Sequence, residues 1–353
     1  MEEKQIISRG QLLLTLLVCR AFTLMTFVPL IFEEASFTTR LAAAAISTAV
    51  QAVLVIPIVL LNRSGLSVTE LAMSRCKAFG IIAAVLYLLF FLFYTANSLL
   101  HFQSFLSARF FKGADSILWI LVILAVCVYC GCLGIEALGR SSVLLFWIFI
   151  AAFGVMLVYS AKEFDPVNIR YDKNFGNGLF AAVMDDLARN GEICALAFLS
   201  KHVKEKFRCG VYGLLAAKLV LVEAVMVTIT AVLGEFARLT DYPFLTLGTF
   251  GGARFIQRGD SLYLVVWTIT AVINSALFLH IAGGLIGEIL PKISFRTSIA
   301  AALVFVLLLI FTLSGASFNG VYSLLCSGYS VAFLTGGIPL IVLLTAKKGG
   351  EKA

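Results

Sequence analysis

The stretch "MDDLARNGE" crowds Asp185, Asp186, Arg189, Asn190 and Glu192 between two apolar runs, "GLFAAV" before it and "ICALAFL" after it. Carboxylates, a guanidinium and an amide at this spacing suit charge recognition. Asp185 and Arg189 stand at i, i+4 and Asp186 and Arg189 at i, i+3, so either pair can meet on one helix face. Asn190-Gly191 is a place for that helix to break, because Gly removes the steric limit on the backbone and Asn tolerates the left-handed region. A broken helix leaves N–H and C=O groups unpaired, ready for a charged solute or a neighbouring side chain. One more charge is out of place. Arg20 lies in "LLVCRAFTLMTFVPLIF", about ten residues from each end of an apolar segment. Snorkelling does not reach that far, so the guanidinium requires a protein partner, a wet cavity or a ligand. Glu192, Asp185 and Asp186 are the natural partners. Arg20 then either holds a ligand carboxylate in a bidentate fork or forms a structural ion pair that fixes helix packing.

The elements that carry these residues are membrane helices. The 353 residues are 61% hydrophobic and 13% charged, against roughly 45–50% and about 25% in soluble domains. Mean hydropathy is +1.01. Apolar runs near 20 residues, each able to cross a hydrocarbon core of roughly 30 Å, recur at about 10–32, 38–61, 78–108, 114–133, 137–160, 177–202, 207–234, 260–290, 295–314 and 321–345. These are spans 1 to 10 below. They predict a single all-α integral membrane domain over 1–353 with ten transmembrane helices. The start "MEEKQIISRGQ" lacks the features of a cleaved signal peptide, so span 1 is expected to be retained. With the N-terminus inside, 15 Lys and Arg fall on the cytoplasmic side and 9 outside, which favours two cytoplasmic termini. The net charge of +7 then belongs to loops beside anionic lipid and not to nucleic acid.

Spans 3 and 8 are the longest, and each is third in a set of five. Spans 1 and 6 open the sets and carry polar interruptions. Polar breaks at matching positions of two inverted halves, about 10–160 and 177–345, are the sequence pointer to a binding site at the bilayer midplane. The alternative for span 6 is an external amphipathic helix over 177–190, but the span left after it would be too short to cross alone.

Other spans add candidate lining residues. Span 3 sets Tyr87, Tyr94 and His101 at heptad spacing with Asn97 on the adjoining face, one interior stripe that packs with satisfied hydroxyls or lines a small-molecule pocket. Span 7 carries Lys218 and Glu223; span 8 carries Thr268, Asn274, Ser275 and His280. Glu223 is the lone candidate for a proton-binding carboxylate, with interhelical pairing as its alternative. Ser275, with Thr268 and Asn274, could coordinate an ion or simply bond across helices. "CVYCGC" lies inside span 4, where its thiols read as small packing residues and not as metal or redox groups. Neither H-E-x-x-H nor G-x-S-x-G occurs, and "GTFGGARF" lacks the lysine of a phosphate loop. We expect no enzyme activity, cofactor or metal.

Three segments carry a family resemblance. "YPFLTLGTFGGARFIQRGDSLYLVVW" joins Tyr242-Pro243 to Phe255-Ile256-Gln257-Arg258-Gly259-Asp260 and then Trp267. "IISRGQLLLTLLVCRAFTLMTFVP" supplies Ile7-Ser8, Gln11 and Pro29. "NGEICALAFLSKHVKEK" is a Gly-Glu helix followed by a basic loop. Together they resemble the endospore germination permease family, the B subunits of nutrient germinant receptors, along the whole chain. Where that family often has a Gly-containing break in span 1, this chain reads Cys19-Arg20-Ala21, and where Pro is common at the end of span 6 it reads "AFLSKHV". The resemblance implies a LeuT-like five-plus-five inverted repeat within the amino acid–polyamine–organocation superfamily, with spans 1 and 6 discontinuous. It also implies a sensor of amino acid-like nutrients in the spore inner membrane, beside two other receptor subunits. Ligand would meet Arg20, the backbone around Phe22 and Gly191, Glu192, Tyr94, Asn97 and Asn274. An H⁺- or Na⁺-coupled amino acid transporter shares that fold.

Overall fold

The computed structural model describes residues 6–31, 35–109, 116–169, 175–203, 208–240, 242–250, 259–312 and 316–350. Among them every regular element is helical, and the helices follow the predicted segments in order. Seven stretches are long and apolar enough to cross a membrane, and Leu118–Leu133 in span 4 is a shorter apolar helix. Span 1 is a helix of 23 residues, Arg9–Ile31, and span 3 is the longest, Lys77–Arg109. A contiguous buried apolar cluster draws residues from all ten spans.

Span 6 breaks where the sequence places the break. Leu179–Ala188 is helical, Gly191–Ala195 winds as a 3₁₀ turn, and Leu196–Leu199 resumes the helix. Span 1 does not break, contrary to the expectation. Its helix runs through Cys19-Arg20-Ala21, where no Gly or Pro interrupts the hydrogen-bond ladder. The Phe22 carbonyl also accepts the Thr26 hydroxyl at 2.8 Å, so the backbone at Phe22 is not an open ligand group. Span 10 is irregular instead, with a π-turn over Phe333–Gly337; the Tyr87 hydroxyl donates to the Leu334 carbonyl there.

Spans 3 and 8 form the antiparallel spine. Phe91 and Tyr94 meet Phe278 at ring distances of 5.3 and 5.4 Å. Phe102 and Phe105 meet Trp267 at 5.0 and 4.2 Å. This register brings Asn97 and Ser98 to the level of Asn274 and Ser275.

On the face that carries the termini, a short helix, Val68–Arg75, crosses the start of span 3. Gly80 permits the crossing, since a Cβ there would lie 2.5 Å from the Met73 amide nitrogen. Lys201 at the end of span 6 reaches Glu70 at 2.7 Å and Glu288 of span 8 at 3.5 Å. Burial pushes the Glu70 carboxyl up, but its bond to the Lys201 ammonium and the Ser67 amide outweigh burial and hold it below the ordinary value of 4.5. A carboxyl lowered in the folded state contributes stability that is full above the ordinary value and fades as pH falls through the lowered one. The thermal midpoints of the wild type and Glu70→Gln should therefore differ at neutral pH and converge in acid. A gap that persists or widens in acid excludes this assignment.

Candidate functional site

Arg20 is 2% exposed and turns toward the break in span 6. Its Nη2 bonds Asp186 Oδ1 at 3.0 Å and its Nη1 donates to the Arg189 carbonyl at 3.0 Å. Of the three acids the sequence offers, Asp186 is its partner. The Arg189 carbonyl also accepts the Tyr94 hydroxyl at 3.1 Å. The carbonyl freed by the break is thus held by spans 1 and 3 together, which satisfies a group the interrupted helix cannot. Asn190 donates to the Asp186 carbonyl at 2.6 Å and to its carboxylate at 3.1 Å. Asp185 pairs locally with Arg189 at 2.7 Å, as the i, i+4 spacing predicts, and with Arg40 of span 2 at 3.0 Å.

Glu192 does not meet Arg20. Its Oε1 lies 2.7 Å from Lys218 Nζ of span 7, with side chains 1% and 4% exposed. This is an ion-pair contact, and Glu192 Oε2 has no hydrogen-bond partner among the described residues. Lys218 also donates to Gln51 Oε1 of span 2 at 3.2 Å, and Gln51 donates to Ser47 at 3.1 Å. Sequence reasoning saw Lys218 but not its role, and it missed Arg40 and Gln51. The available signal was the cost of leaving Lys218 alone in hydrocarbon.

Gly191 lies against the face of Tyr94, where a Cβ would come within 2.5 to 2.9 Å of three ring carbons. Gly191→Ala should destabilise the fold by about 1–3 kcal/mol, the range for overpacking, and Tyr94→Leu in the same chain should recover most of it. Thermal unfolding of the three variants in detergent checks this, and an unaffected single variant means the ring yields.

A second set of buried polar groups, on spans 3 and 8, has its hydrogen bonds unmade. Asn97 Nδ2, Ser98 Oγ and both side-chain polar atoms of Asn274 are buried without partners among the described residues, whereas Ser275 Oγ faces the Cys127 thiol of span 4. Native proteins leave few such groups. Ser98, on the stripe between Tyr94 and Phe102, is the residue that sequence reasoning passed over here. Glu223 is not brought to this set. It sits at mid-span on a partly exposed face of span 7. His101 is exposed near the far end of span 3.

Spans 1 and 8 are tied together at one end of the bundle. Trp267 Nε1 donates to Thr26 Oγ1 at 2.8 Å and the Tyr263 hydroxyl to the Met25 carbonyl at 3.1 Å, under an aromatic layer completed by Phe105 and Tyr242. At the opposite end stand the Lys201 contacts. There, too, the amide of Ile7 donates to the His202 carbonyl at 2.9 Å. Of the quoted motifs, Phe255 to Arg258 lie outside the described residues, as does the Asp260 side chain.

The sequence profile of the spore germination protein family matches residues 49–318, well over half of the chain. The chain belongs to this spore germination protein family. No curated protein matches the permease in sequence. Solved structures match it in fold. A Na⁺-coupled sialic acid symporter in a substrate-bound, outward-open state aligns with a TM-score of 0.66 and 13% identity, over 96% of the permease and 78% of the symporter. A nucleobase-cation-symport-1 family transporter, closed around bromovinylhydantoin, aligns with a TM-score of 0.62 and 16% identity, over 91% and 75% of the two chains. The permease is thus an integral membrane protein with a LeuT-like transporter fold, as the resemblance implied.

Proposed function

We propose that the permease is the membrane subunit of a spore nutrient germinant receptor, and that it binds a small, amino acid-like solute beside the break in span 6. The observation that carries this reading is the set of unmade hydrogen bonds at Asn97, Ser98, Asn274 and Glu192 Oε2. Together they offer a carboxylate oxygen for an amine, and donors and acceptors for a polar head. Each such group costs about 1–3 kcal/mol when left buried and unpaired, and a bound solute recovers that cost. Arg20 already engages Asp186 and the Arg189 carbonyl. It therefore positions the break, and holds a ligand carboxylate only by exchanging Asp186 for it. Ser275 is the candidate for ion coupling on span 8. Both termini face the cytoplasm in this reading, in a spore inner membrane, with two further receptor subunits beside the permease. The protein performs no catalysis.

The test is a thermal-shift panel of the twenty common amino acids on purified permease. A ligand at 100 times its dissociation constant stabilises by about 2.7 kcal/mol. At least one amino acid should raise the unfolding midpoint, and it should fail to do so in Ser98→Ala. A panel without any shift overturns the reading. The second reading, a coupled transporter, is favoured by the fold shared with two symporters. Gradient-driven uptake of the bound amino acid into proteoliposomes of the permease alone selects it, and binding without uptake selects the receptor.

A further inference from the structure

Glu223 occupies the centre of the seventh span, 14 positions from each end of Cys209–Ala237. Roughly 20 Å of helix lies on either side of it, beyond the reach of a glutamate side chain to either interface. It is partly exposed and makes no hydrogen bond or ion pair with any described residue. The charges nearest in the fold are committed elsewhere. Lys218, on the same helix, holds Glu192 and Gln51. Arg20 holds Asp186, and Arg40 and Arg189 hold Asp185. Leu219, Val222 and Met226 turn toward the chambers between spans 2, 6 and 7. Glu223 instead borders a lipid-side strip in which Ala216, Ala217 and Val220 of span 7 are exposed, as are Ala45, Ile46 and Ala49 of span 2. These mostly short side chains let another helix approach closely.

We propose that this edge of span 7, centred on Glu223, docks a transmembrane helix of a different protein that carries a Lys or Arg at mid-depth. Two lone charges of opposite sign, each costly in hydrocarbon, become tolerable when they meet. A second copy of the chain does not supply the cation. Arg20, Arg40, Arg189 and Lys218, the cations set away from the ends of the described spans or beside the break, are paired within the protein. The proposal is independent of the solute site.

The test uses the full chain in phosphatidylcholine–phosphatidylglycerol vesicles. Cys209 carries a donor dye, and Cys76, the other exposed thiol, is replaced by Ser. Acceptor-labelled polyleucine helices of about 21 residues carry a central Lys, a central Glu or only Leu. The central-Lys helix should bind wild type at least tenfold more tightly than the all-Leu helix. Glu223→Gln should lose most of that preference and Glu223→Leu all of it, with the thermal midpoint of both variants unchanged or raised. The proposal is overturned by a wild type without preference, as expected of a protonated glutamic acid resting in lipid, or by a preference that survives Glu223→Leu. Self-association lost in Glu223→Leu would assign the edge to a second copy and also overturn it.

Discussion

Lys218→Met should cost the permease about 3–5 kcal/mol of stability, the range for removing one partner from a buried ion pair. Both side chains are almost fully enclosed, at 4% and 1% exposure, so no solvent screens the loss. The substitution keeps the volume of the lysine stem but strands the Glu192 carboxylate, and it strips Gln51 Oε1 of its donor. The cost should belong to the pair and not to the lysine. Lys218→Met with Glu192→Leu replaces two buried charges by packed apolar groups, a change that is often neutral or stabilising, so the double variant should recover most of the loss. Denaturant titration in detergent micelles reads both numbers. A single variant within 1 kcal/mol of wild type, or a double variant no better than the single, would show that Glu192 does not depend on Lys218.

The same pair shows which part of the site a sequence discloses. Within one helix, spacing fixes neighbours, and so the Asp185–Arg189 pair and the break at Asn190-Gly191 were legible. Between helices, spacing fixes nothing. Arg20 had three acids to choose from, and packing delivered Asp186 because the freed Arg189 carbonyl sits beside it and takes the other arm of the guanidinium. Glu192 rotates to the opposite side of the 3₁₀ turn, toward span 7, which one-dimensional order cannot show. The unbroken first span has a simpler cause. The break there was read from the polar Arg20 at the position matching span 6 and from the resemblance, while the residues themselves, Cys19-Arg20-Ala21, continue a helix. Span positions were readable because hydrocarbon leaves so few backbone options. The level at which span 3 meets span 8 was not, because aromatic rings at many registers could interlock, and Ser98 was hidden for that reason. Glu223 was readable as a charge in lipid, but its face was not, and that face turns it from the helix interfaces of span 7 to the protein's edge.

Asn274→Leu should make the empty permease more stable while removing its capacity to bind solute. Asn274 is fully buried, and neither its carbonyl oxygen nor its amide nitrogen has a partner among the described residues. Desolvating such groups costs about 1–3 kcal/mol, and leucine, which has the same heavy-atom branching, makes no such demand. A gain of this order in unfolding free energy is therefore expected, opposite in sign to most core substitutions. The amide stays at a stability cost only if something repays it, and the proposed solute would do so by supplying the missing bonds. Loss of those bonds should weaken the amino acid found by thermal shift tenfold to a hundredfold, where each factor of ten is about 1.4 kcal/mol. Stability and affinity moving in opposite directions would mark Asn274 as a binding residue, since a residue kept for packing loses both together. If Asn274→Leu instead destabilises the empty protein, then its amide is bonded in the native membrane, by water or by a neighbour, and the solute must be sought elsewhere around the break.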